Sequence, residues 1–537
     1  MKLISEVSPE KLRGSFYTPP IIAEFILKWG IKESTNSSIL EPSCGDGVFL
    51  QEIKNNNYTY KKIIGLEIDE QEAAKAKQID LPKSTIITSD FYKYCNSTSE
   101  KFDLIIGNPP YIRYQFFDKQ QQIESENIFI RAGLKYSKLT NAWVSFVVGC
   151  SLMLNESGGK LAFVVPVEIL QVSYAKQLRS FLAQYYNKIN IISFKKLVFP
   201  NIQQEVVLLL CEKDNSNNHQ IDHLELNDAT DLAKLDINQL EVSRKRIDFK
   251  SNKWTFYFLS QKEIDFLETI AVNRKIPKFG KFAKVEVGIT TGANDFFTVP
   301  KSLVEEYELE NYAKPMVGRS VQVDSLRFTK KDWLANSEGE AKAHLLVFPS
   351  KDKLDTKNGA VKYIKYGEEI NIHKGYKTRI RQDWFVVPSL KISPLLFIRR
   401  NNLYPRLIVN EAEAYTTDTM HRVYPFPSII KDALVASYYN SLSLASAEVS
   451  GRSHGGGVLE LMPNEAESML LPYHSENTNL ISRIDNLLRA KKSIHEILET
   501  TNKIILQEHY HLTNEEIDLA HGIWIKLSNR RLNRGKK

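Results

Sequence analysis

Short apolar runs alternate with longer amphipathic stretches between Ile21 and about Cys211. The short runs stop at glycine or polar residues and predict buried strands, and the amphipathic stretches between them predict helices. Strands that alternate with helices in this way favour an α/β fold with a doubly wound, mainly parallel sheet. The last two apolar runs, 189–194 and 206–210, are hairpin-like and predict an antiparallel last strand.

The chain continues well beyond this alternating region, and its 537 residues are enough for two to four domains. We expect a first domain over residues 1–245 and a second, mixed α+β domain over residues 246–537. In the first domain, the uncharged run 142–154 is too short to span a bilayer and predicts a buried helix. In the second, apolar residues spaced by three and four predict an amphipathic helix over residues 480–506.

Two predicted strands of the first domain end in residues that are typical of a nucleotide site. The first strand is followed by Gly45 and Gly47, which permit a tight turn before a helix that begins near Val48. The second strand, 62–66, ends at Glu67, twenty positions after Gly47. Nucleotide-binding α/β sheets place a carboxylate there to bind ribose hydroxyls.

A third predicted strand, 84–88, ends at Asp90 and Phe91. The acid can accept a hydrogen bond from an adenine amino group, and the ring can pack on the purine. Strand-end carboxylates can instead cap the next helix. Because three successive strands end in residues that suit a nucleotide site, we favour a nucleoside ligand here. We expect Asp46 and Asp69 to be cap or turn residues.

A fourth predicted strand, 104–107, is followed by Asn108-Pro109-Pro110-Tyr111. Because proline continues neither strand nor helix, this tetrapeptide predicts a stiff loop at the carboxyl end of a central strand, where open α/β sheets bind ligands. An amide side chain, a carbonyl and an aromatic ring together suit the binding of a planar amino group and its ring. An ordinary turn is the simpler alternative, which the three preceding strand ends disfavour.

These motifs resemble class I S-adenosylmethionine-dependent methyltransferases that modify N6 of adenine in DNA, and among them the gamma (Taq-type) class. Residues 14–20, Gly-Ser-Phe-Tyr-Thr-Pro-Pro, match a further element of that family. The resemblance covers roughly residues 10–210. It implies a Rossmann-like sheet, S-adenosylmethionine as cofactor and a DNA-binding target-recognition region in the second domain. The implied cofactor-binding residues are Thr18, Glu41, Cys44, Gly45, Glu67, Ile68, Asp90 and Phe91; many relatives carry alanine at the Cys44 position, so its contact is expected through the backbone.

The implied reaction needs an activated adenine amino group, because its lone pair is delocalised into the ring. Asn108 and the Pro109 carbonyl are the expected acceptors for its two hydrogens, so catalysis would come from orientation and electrostatics, with no metal. The adenine must first flip out of the duplex. Tyr111 and, by resemblance, Phe199 would stack on it, although Phe199 is equally typical of a core or hairpin residue. We therefore expect Asn108, Pro109, Pro110, Tyr111 and Phe199 to be catalytic.

Basic residues of the second domain lie among amides, hydroxyls and aromatic rings, the groups that contact phosphates and base edges. Each cluster alone is also typical of a solvated surface or a structural turn. The glycine-rich run 451–457 permits close approach to a backbone. The candidate DNA-binding residues are Arg399, Arg400, Arg452 and His454, and no code translates them into a DNA word.

Composition limits the function further. A net charge of +7 permits a polyanionic partner without requiring one. The four cysteines have no metal-ligand spacing and predict free thiols in a reducing cytoplasm. The amino terminus carries charges of both signs and lacks the apolar core of a signal peptide. We therefore expect a cytoplasmic protein with no membrane segment.

The favoured hypothesis is a sequence-specific DNA adenine-N6 methyltransferase, the modification enzyme of a type II restriction-modification system. It would act on double-stranded DNA as a monomer, and a cognate endonuclease would act separately. A methyltransferase for RNA or protein glutamine is the alternative, but its small protein-modifying relatives lack a segment such as 246–537. A fused nuclease is disfavoured because only about thirteen residues precede the first motif. Intact cofactor and catalytic motifs disfavour a non-catalytic DNA-binding protein.

Overall fold

The computed structural model describes residues 17–31, 36–112, 116–137, 140–199, 204–214, 216–237, 244–247, 249, 253–355 and 359–533. Its contacts divide the chain into two compact units, with the division between Gln261 and Lys262. Within the described residues, no helix is both long and apolar enough to cross a bilayer. All four cysteines are buried and form no disulfide, as the sequence predicts.

The first unit is built on a sheet with nine strands among the described residues, in the order β3-β2-β1-β4-β5-β7-β6-β8-β9. Strands β1 to β5 are parallel, and β7 runs antiparallel between β5 and β6. This topology confirms the predicted parallel sheet and the antiparallel strand near its end. The strands are Ser38–Glu41 (β1), Lys62–Glu67 (β2), Ser84–Thr88 (β3), Leu104–Gly107 (β4), Lys160–Pro166 (β5), Lys188–Phe194 (β6), Val206–Glu212 (β7), Gln220–Leu226 (β8) and Lys245–Arg246 (β9).

Helices connect the parallel strands, as parallel pairing requires. Helix α6, Ala142–Leu152, is buried almost throughout because its residues are uncharged on every face, and it confirms the helix predicted from the run 142–154. The helices of this unit are Pro20–Gly30 (α1), Val48–Asn55 (α2), Glu70–Gln78 (α3), Phe91–Ser97 (α4), Lys119–Arg131 (α5), Ala142–Leu152 (α6) and Lys176–Tyr185 (α7); Gln261–Asn273 (α8) begins at the division between the units.

The strand order reverses at β1, which pairs with β2 on one side and with β4 on the other. Open α/β sheets bind ligands at such a switch point, beyond the carboxyl ends of the strands. Because β1, β2, β3 and β4 are parallel, the residues that follow each of them lie at one edge of the sheet. This arrangement brings the four predicted motifs to the same place.

The second unit is a mixed α+β structure, as expected, with three smaller sheets in the orders β10-β18-β15-β17-β13, β11-β14-β12 and β16-β20-β19 among the described residues. Its strands are Ala283–Val287 (β10), Thr298–Val299 (β11), Ala313–Pro315 (β12), Arg327–Phe328 (β13), His344–Leu346 (β14), Leu395–Ile398 (β15), Arg400–Asn401 (β16), Leu407–Asn410 (β17), Met420–Pro425 (β18), Arg452–His454 (β19) and Val458–Glu460 (β20).

The helices of the second unit precede, separate and follow these strands. After α8 they are Asn294–Phe297 (α9), Lys301–Glu306 (α10), Lys330–Glu338 (α11), Gly359–Glu369 (α12), Tyr376–Arg379 (α13), Lys431–Tyr438 (α14), Ser441–Ser450 (α15), Pro463–Glu467 (α16), Ile481–Arg489 (α17), Ile494–Thr501 (α18) and Asn514–Asn533 (α19), with a π-helix over Asn502–His509 between the last two.

The single helix predicted over residues 480–506 is wrong, because the chain turns between α17 and α18. Lys491 adopts the left-handed conformation, with φ of +56°, and interrupts the helix. Ser493 then caps the next helix, since its side chain accepts a hydrogen bond from the Glu496 amide. The apolar spacing continues across this turn, so periodicity alone did not reveal the break.

Candidate active site and family

A cavity of about 450 Å³ lies at the carboxyl edge of the parallel strands, within the size range of small-molecule sites. The structure places all eight predicted cofactor residues in its wall, together with Asn108 and Pro110 of the proline loop. Its lining residues are Tyr17, Thr18, Glu41, Pro42, Ser43, Cys44, Gly45, Asp46, Val48, Phe49, Glu67, Ile68, Asp69, Glu72, Ser89, Asp90, Phe91, Tyr92, Asn108, Pro110, Ile112, Phe116, Phe117, Gln121, Ala142 and Phe146.

The turn between β1 and α2 depends on glycine. Gly45 and Gly47 have φ of +52° and +92°, which side-chain-bearing residues rarely adopt. The turn is held by two backbone bonds: the Cys44 amide donates to the Leu66 carbonyl at 2.8 Å, and the Gly47 amide donates to the Cys44 carbonyl at 2.9 Å. These bonds bring the backbone of Cys44 and Gly45 to the cavity wall.

Glu67, at the end of β2, is fixed by main-chain donors. Its two carboxylate oxygens accept from the amides of Gly45 and Asp69, each at 2.9 Å. The next residue, Ile68, leaves 60% of its side chain exposed and lines the cavity. A fixed carboxylate beside an exposed apolar surface suits a ligand that carries hydroxyl groups next to a flat ring.

Asp90 caps a helix and also lines the cavity. One oxygen accepts from the amides of Tyr92 and Lys93, at 2.7 and 3.3 Å, at the start of α4. The other accepts from the Gln121 side chain at 2.9 Å. Phe91 stacks on Phe146, with ring centroids 4.0 Å apart. Asp69 caps α3, as predicted.

Glu41, at the end of β1, is a buried acid in the wall of the cavity. Its side chain is 2% exposed, and Oε2 has no hydrogen-bond partner in the described part of the chain. Burial, together with the negative charges of Glu67 and Asp46, raises its pKa well above the ordinary value. Burial likewise raises the pKa of the neighbouring Cys44 thiol, which therefore stays protonated. A buried carboxyl that lacks a partner at a cavity wall fits a cationic or hydrogen-donating ligand group.

The proline loop after β4 is held by its own tyrosine. The Tyr111 hydroxyl lies 2.9 Å from Oδ1 of Asn108 and 3.1 Å from the Val164 carbonyl, and can donate to either. The Asn108 carbonyl accepts from the Ser43 hydroxyl at 3.4 Å. Burial raises the pKa of Tyr111, so its hydroxyl keeps the proton it donates. The loop therefore orients the Asn108 amide at the cavity.

Three predicted catalytic residues are absent from the described lining of this cavity: Pro109, Tyr111 and Phe199. Phe199 is 6% exposed and belongs to the hydrophobic core against which the Tyr111 ring also packs. Both rings therefore belong to one hydrophobic core, and neither is in the described lining of the cofactor-sized cavity.

Comparison with known proteins identifies the family. Residues 3–287, more than half of the chain, match the N-6 DNA Methylase family. The chain belongs to that family. Residues 251–506 match a second family, described as the C-terminal domain of the type II methyltransferase M.Eco57I. This N-6 DNA methylase transfers a methyl group from S-adenosylmethionine to N6 of adenine in DNA.

Two curated relatives align with almost the whole methylase. Type II methyltransferase M.AccI of Acinetobacter calcoaceticus is 26% identical over 92% of this chain and 93% of its own length. Type II methyltransferase M.HindII of Haemophilus influenzae is 23% identical over 96% of both chains. Among solved structures, a DrdV–DNA complex aligns with 90% of this chain at a TM-score of 0.50 and 13% identity. The methylase spans 58% of that structure's chain, and the likeness shows the fold alone.

In the second unit, the four candidate DNA-binding residues of the methylase lie close to the sheet β16-β20-β19, and three of them bind one carboxylate. Arg399, Arg400 and His454 each lie 3.0 Å from a Glu460 oxygen. The hydrogen bond from His454, together with the two guanidinium groups, lowers the pKa of Glu460 to about 2. Arg452 instead pairs with Glu465, at 2.9 Å.

The sequence reasoning missed several residues that line the cavity. Gln121 reaches Asp90 from α5, a contact that only the tertiary structure reveals. Tyr17 belongs to the motif that contains Thr18, so its neighbour could have pointed to it. The remaining unpredicted aromatic residues of the lining are Phe49, Tyr92, Phe116, Phe117 and Phe146, and the last three belong to no motif.

Proposed function

We propose that this methylase is a site-specific, gamma-class enzyme that modifies DNA for a type II restriction-modification system. The observation that carries the proposal is the single cavity that joins the candidate cofactor residues to Asn108. The order of the motifs supports the gamma class, because the cofactor residues precede Asn108 and the second unit comes last. The type II methyltransferases M.AccI and M.HindII, which align over nearly the whole chain, support the restriction-modification role.

The cavity residues fit S-adenosylmethionine, which when bound supplies a methyl group on a positively charged sulfur. Glu67 would bind the ribose hydroxyls, since its carboxylate is already oriented by two backbone amides. Ile68 would cover one adenine face, and Asp90, held by Gln121, would accept from the adenine amino group. Glu41 supplies the buried acceptor that the cationic end of the cofactor needs. Thr18, Cys44, Gly45 and Phe91 complete the wall of the cofactor site.

Asn108 and Pro109 would activate the target adenine. The Asn108 side-chain oxygen and the Pro109 carbonyl would each accept one amino hydrogen, which draws the nitrogen toward tetrahedral geometry and makes its lone pair available. The loop would hold the Asn108 oxygen in place, because Pro109 and Pro110 are stiff and the Tyr111 hydroxyl contacts the Asn108 side chain. Most of the rate gain would therefore come from orientation and electrostatics.

Tyr111 and Phe199 would provide the stacking faces for the flipped base. Both rings pack into the same hydrophobic core, and the Tyr111 hydroxyl contacts Asn108, which supports a place for Tyr111 beside the target base. Flipping a base costs a few kcal/mol, and stacking in a protein pocket offsets that cost. A Phe199→Ala variant tests this role. The role is supported if the variant and the wild type bind DNA with an abasic target site equally well but bind normal DNA with unequal affinity.

The second unit would recognise the DNA target. We place the catalytic domain at residues 1–245 and the target-recognition domain at residues 246–537. Its most accessible candidates are Arg400, 66% exposed, and His454, 48% exposed. Arg399 and Arg452 are less exposed and would act mainly by holding the local structure. We further propose that the enzyme is cytoplasmic and that its cognate endonuclease is a separate protein. We expect a monomer, since one methyl transfer per binding event requires no symmetry.

Salt dependence of DNA binding tests the recognition proposal. The Arg400→Gln variant should bind duplex DNA more weakly, and the salt slope of its affinity should fall by about one if Arg400 contacts a phosphate. Lys301→Gln is the matched control, because Lys301 is also an exposed cation paired with a glutamate. Equal effects of both substitutions would contradict a specific role for Arg400.

Methyl transfer from labelled S-adenosylmethionine tests the proposed substrate. Purified protein should label unmethylated duplex DNA, and digestion to nucleosides should recover the label as N6-methyldeoxyadenosine. Structured RNA and protein should remain unlabelled under the same conditions. Label in RNA or on glutamine, with DNA unlabelled, would contradict the proposal.

A further inference from the structure

Two histidines and a glutamate meet in the second unit. His474 immediately precedes a short 3₁₀ helix, Ser475–Leu480, which contains Glu476. His509 is the last residue of the π-helix Asn502–His509. The cluster therefore joins two segments that are well separated in sequence, and it plays no part in the methyl-transfer site described above.

The donor atoms of these side chains are grouped closely enough to share one ion. One ligand atom from each side chain lies within 4.8 Å of the other two. A Glu476 oxygen is 4.0 Å from Nδ1 of His474 and 3.8 Å from Nε2 of His509. These separations exceed hydrogen-bond length, so hydrogen bonds among the three side chains do not account for the grouping.

Both imidazoles retain unused nitrogen atoms in buried positions. Nδ1 of His474 and Nδ1 of His509 are buried and have no hydrogen-bond partner among the described residues. The rings lie against each other, with centroids 4.1 Å apart and an angle of 32° between their planes. For Nδ1 of His474, which faces Glu476, an ion or a water molecule can be the missing partner.

Neighbouring residues fix the two segments independently of the histidines. The Tyr510 hydroxyl donates to the Tyr473 carbonyl at 2.8 Å, and these residues are adjacent to His509 and His474. On the other side, the buried Asn477 side chain donates to the Ser437 hydroxyl at 2.7 Å. These two bonds therefore help to hold the segments that carry the three side chains near one another.

We propose that His474, Glu476 and His509 bind a divalent transition-metal ion of the zinc type. Two imidazoles and a carboxylate are ligands that zinc accepts, and water would complete the tetrahedron. In a tetrahedral site, metal–ligand bonds of about 2.0–2.2 Å set donor atoms roughly 3.4 Å apart, so small movements of the three side chains would close the site. The ion would tie the segment Ser475–Leu480 to the end of the π-helix.

Metal titration of the full-length, untagged protein tests this proposal. After removal of metals with a chelator, Zn²⁺ titrated near neutral pH should bind at one equivalent per chain in calorimetry. Co²⁺ should bind in its place and give the visible absorption of a tetrahedral complex. The His474→Gln/His509→Gln variant should lose both signals, and Glu476→Gln should weaken Zn²⁺ binding at least about tenfold, the scale of losing a supporting ligand.

His511→Asn is the matched control, because His511 is an exposed neighbour outside the cluster. Its φ of +56° is one that asparagine tolerates, so this variant should fold and bind one Zn²⁺ like the wild type. Metal-free variants and metal-free wild type should have the same circular dichroism spectrum. If the double variant does not fold, the Glu476→Gln variant tests the proposal on its own. This single substitution replaces a side chain that is 73% exposed. Unchanged Zn²⁺ affinity in Glu476→Gln, or equal stoichiometry in wild type and double variant, would overturn the proposal.

Discussion

At the scale of single residues, the cavity contains a carboxyl group that destabilises the ligand-free protein. Glu41 is buried, and one of its oxygens has no partner among the described residues. In the unfolded chain it ionises near its ordinary pKa of 4.5, whereas in the folded protein burial holds its pKa well above that value. As pH rises above about 4.5, the unfolded chain releases a proton that the folded protein retains, so stability falls until pH passes the folded pKa.

We therefore predict that Glu41→Gln stabilises the ligand-free protein at neutral pH by about 1–3 kcal/mol, the scale of one desolvated polar group. Well below pH 4.5 the gain should disappear, because Glu41 is then protonated in both states. The same substitution should weaken S-adenosylmethionine binding. Urea unfolding at several pH values and calorimetry check the two effects. A variant that is less stable than wild type at neutral pH, or that binds cofactor as tightly, would contradict the assigned role.

Tyr111 combines a ring and a hydroxyl whose contributions can be separated. Tyr111→Phe removes the hydrogen bond to Asn108 and should lower kcat about five- to tenfold, as expected for roughly 1 kcal/mol. Tyr111→Ala also removes the ring, and base–aromatic stacking contributes about 1–3 kcal/mol more. The alanine variant should therefore lose far more activity in single-turnover methylation. If both variants lose equal activity, Tyr111 does not stack on the target base.

Among the elements, the turn between β1 and α2 contains two glycines with different expected roles: Gly47 in folding and Gly45 in cofactor binding. A Cβ at Gly47 would lie 2.5 Å from the Ile79 side chain and 3.2 Å from Cα of Ala76, at φ of +92°. A Cβ at Gly45, with φ of +52°, would meet nothing within 4 Å. Gly45 also lines the cavity, so an added methyl group there would lie at the proposed cofactor site and not in the packed core.

Gly47→Ala should therefore lower the free energy of unfolding by about 2–3 kcal/mol, and Gly45→Ala by about 1 kcal/mol. Cofactor affinity should show the opposite order, with the larger relative loss in Gly45→Ala. Urea unfolding and calorimetric titration of S-adenosylmethionine on both variants measure the two quantities. If Gly47→Ala causes the larger loss in both stability and cofactor affinity, the two glycines do not have the separate roles proposed.

The elements that the sequence predicted correctly are those with local signals. Strands β1 to β4 appear as apolar runs, and each ends in a residue whose type fits a nucleotide site, such as Glu67 or Asp90. Gln121 has no such signal, because it reaches Asp90 only through the packing of α5 against α4. The break near Lys491 was missed because the apolar spacing continues across it. Local pattern therefore predicts strand ends well and tertiary contacts poorly.

At the scale of the whole molecule, the two units differ in how much the sequence reveals. In the first, parallel pairing brings the ends of β1 to β4 to one edge, so four separate motifs predict one site. In the second, three small sheets of mainly short strands give little periodicity, and composition predicts only a mixed α+β fold. Arg399, Arg400 and His454 meet at Glu460 because β16 and β19 both pair with β20, a register that no sequence pattern indicates.

We propose that the enzyme methylates adenine at this cavity and at one DNA sequence only. Single-molecule sequencing of genomic DNA, taken from a methylation-deficient host that expresses the protein, tests it most directly. We predict N6-methyladenine confined to one short sequence word, and none in a host expressing Asn108→Ala, whose purified protein should still bind S-adenosylmethionine. Unmodified DNA from the host that expresses wild-type protein, although the purified protein binds the cofactor, would contradict the account.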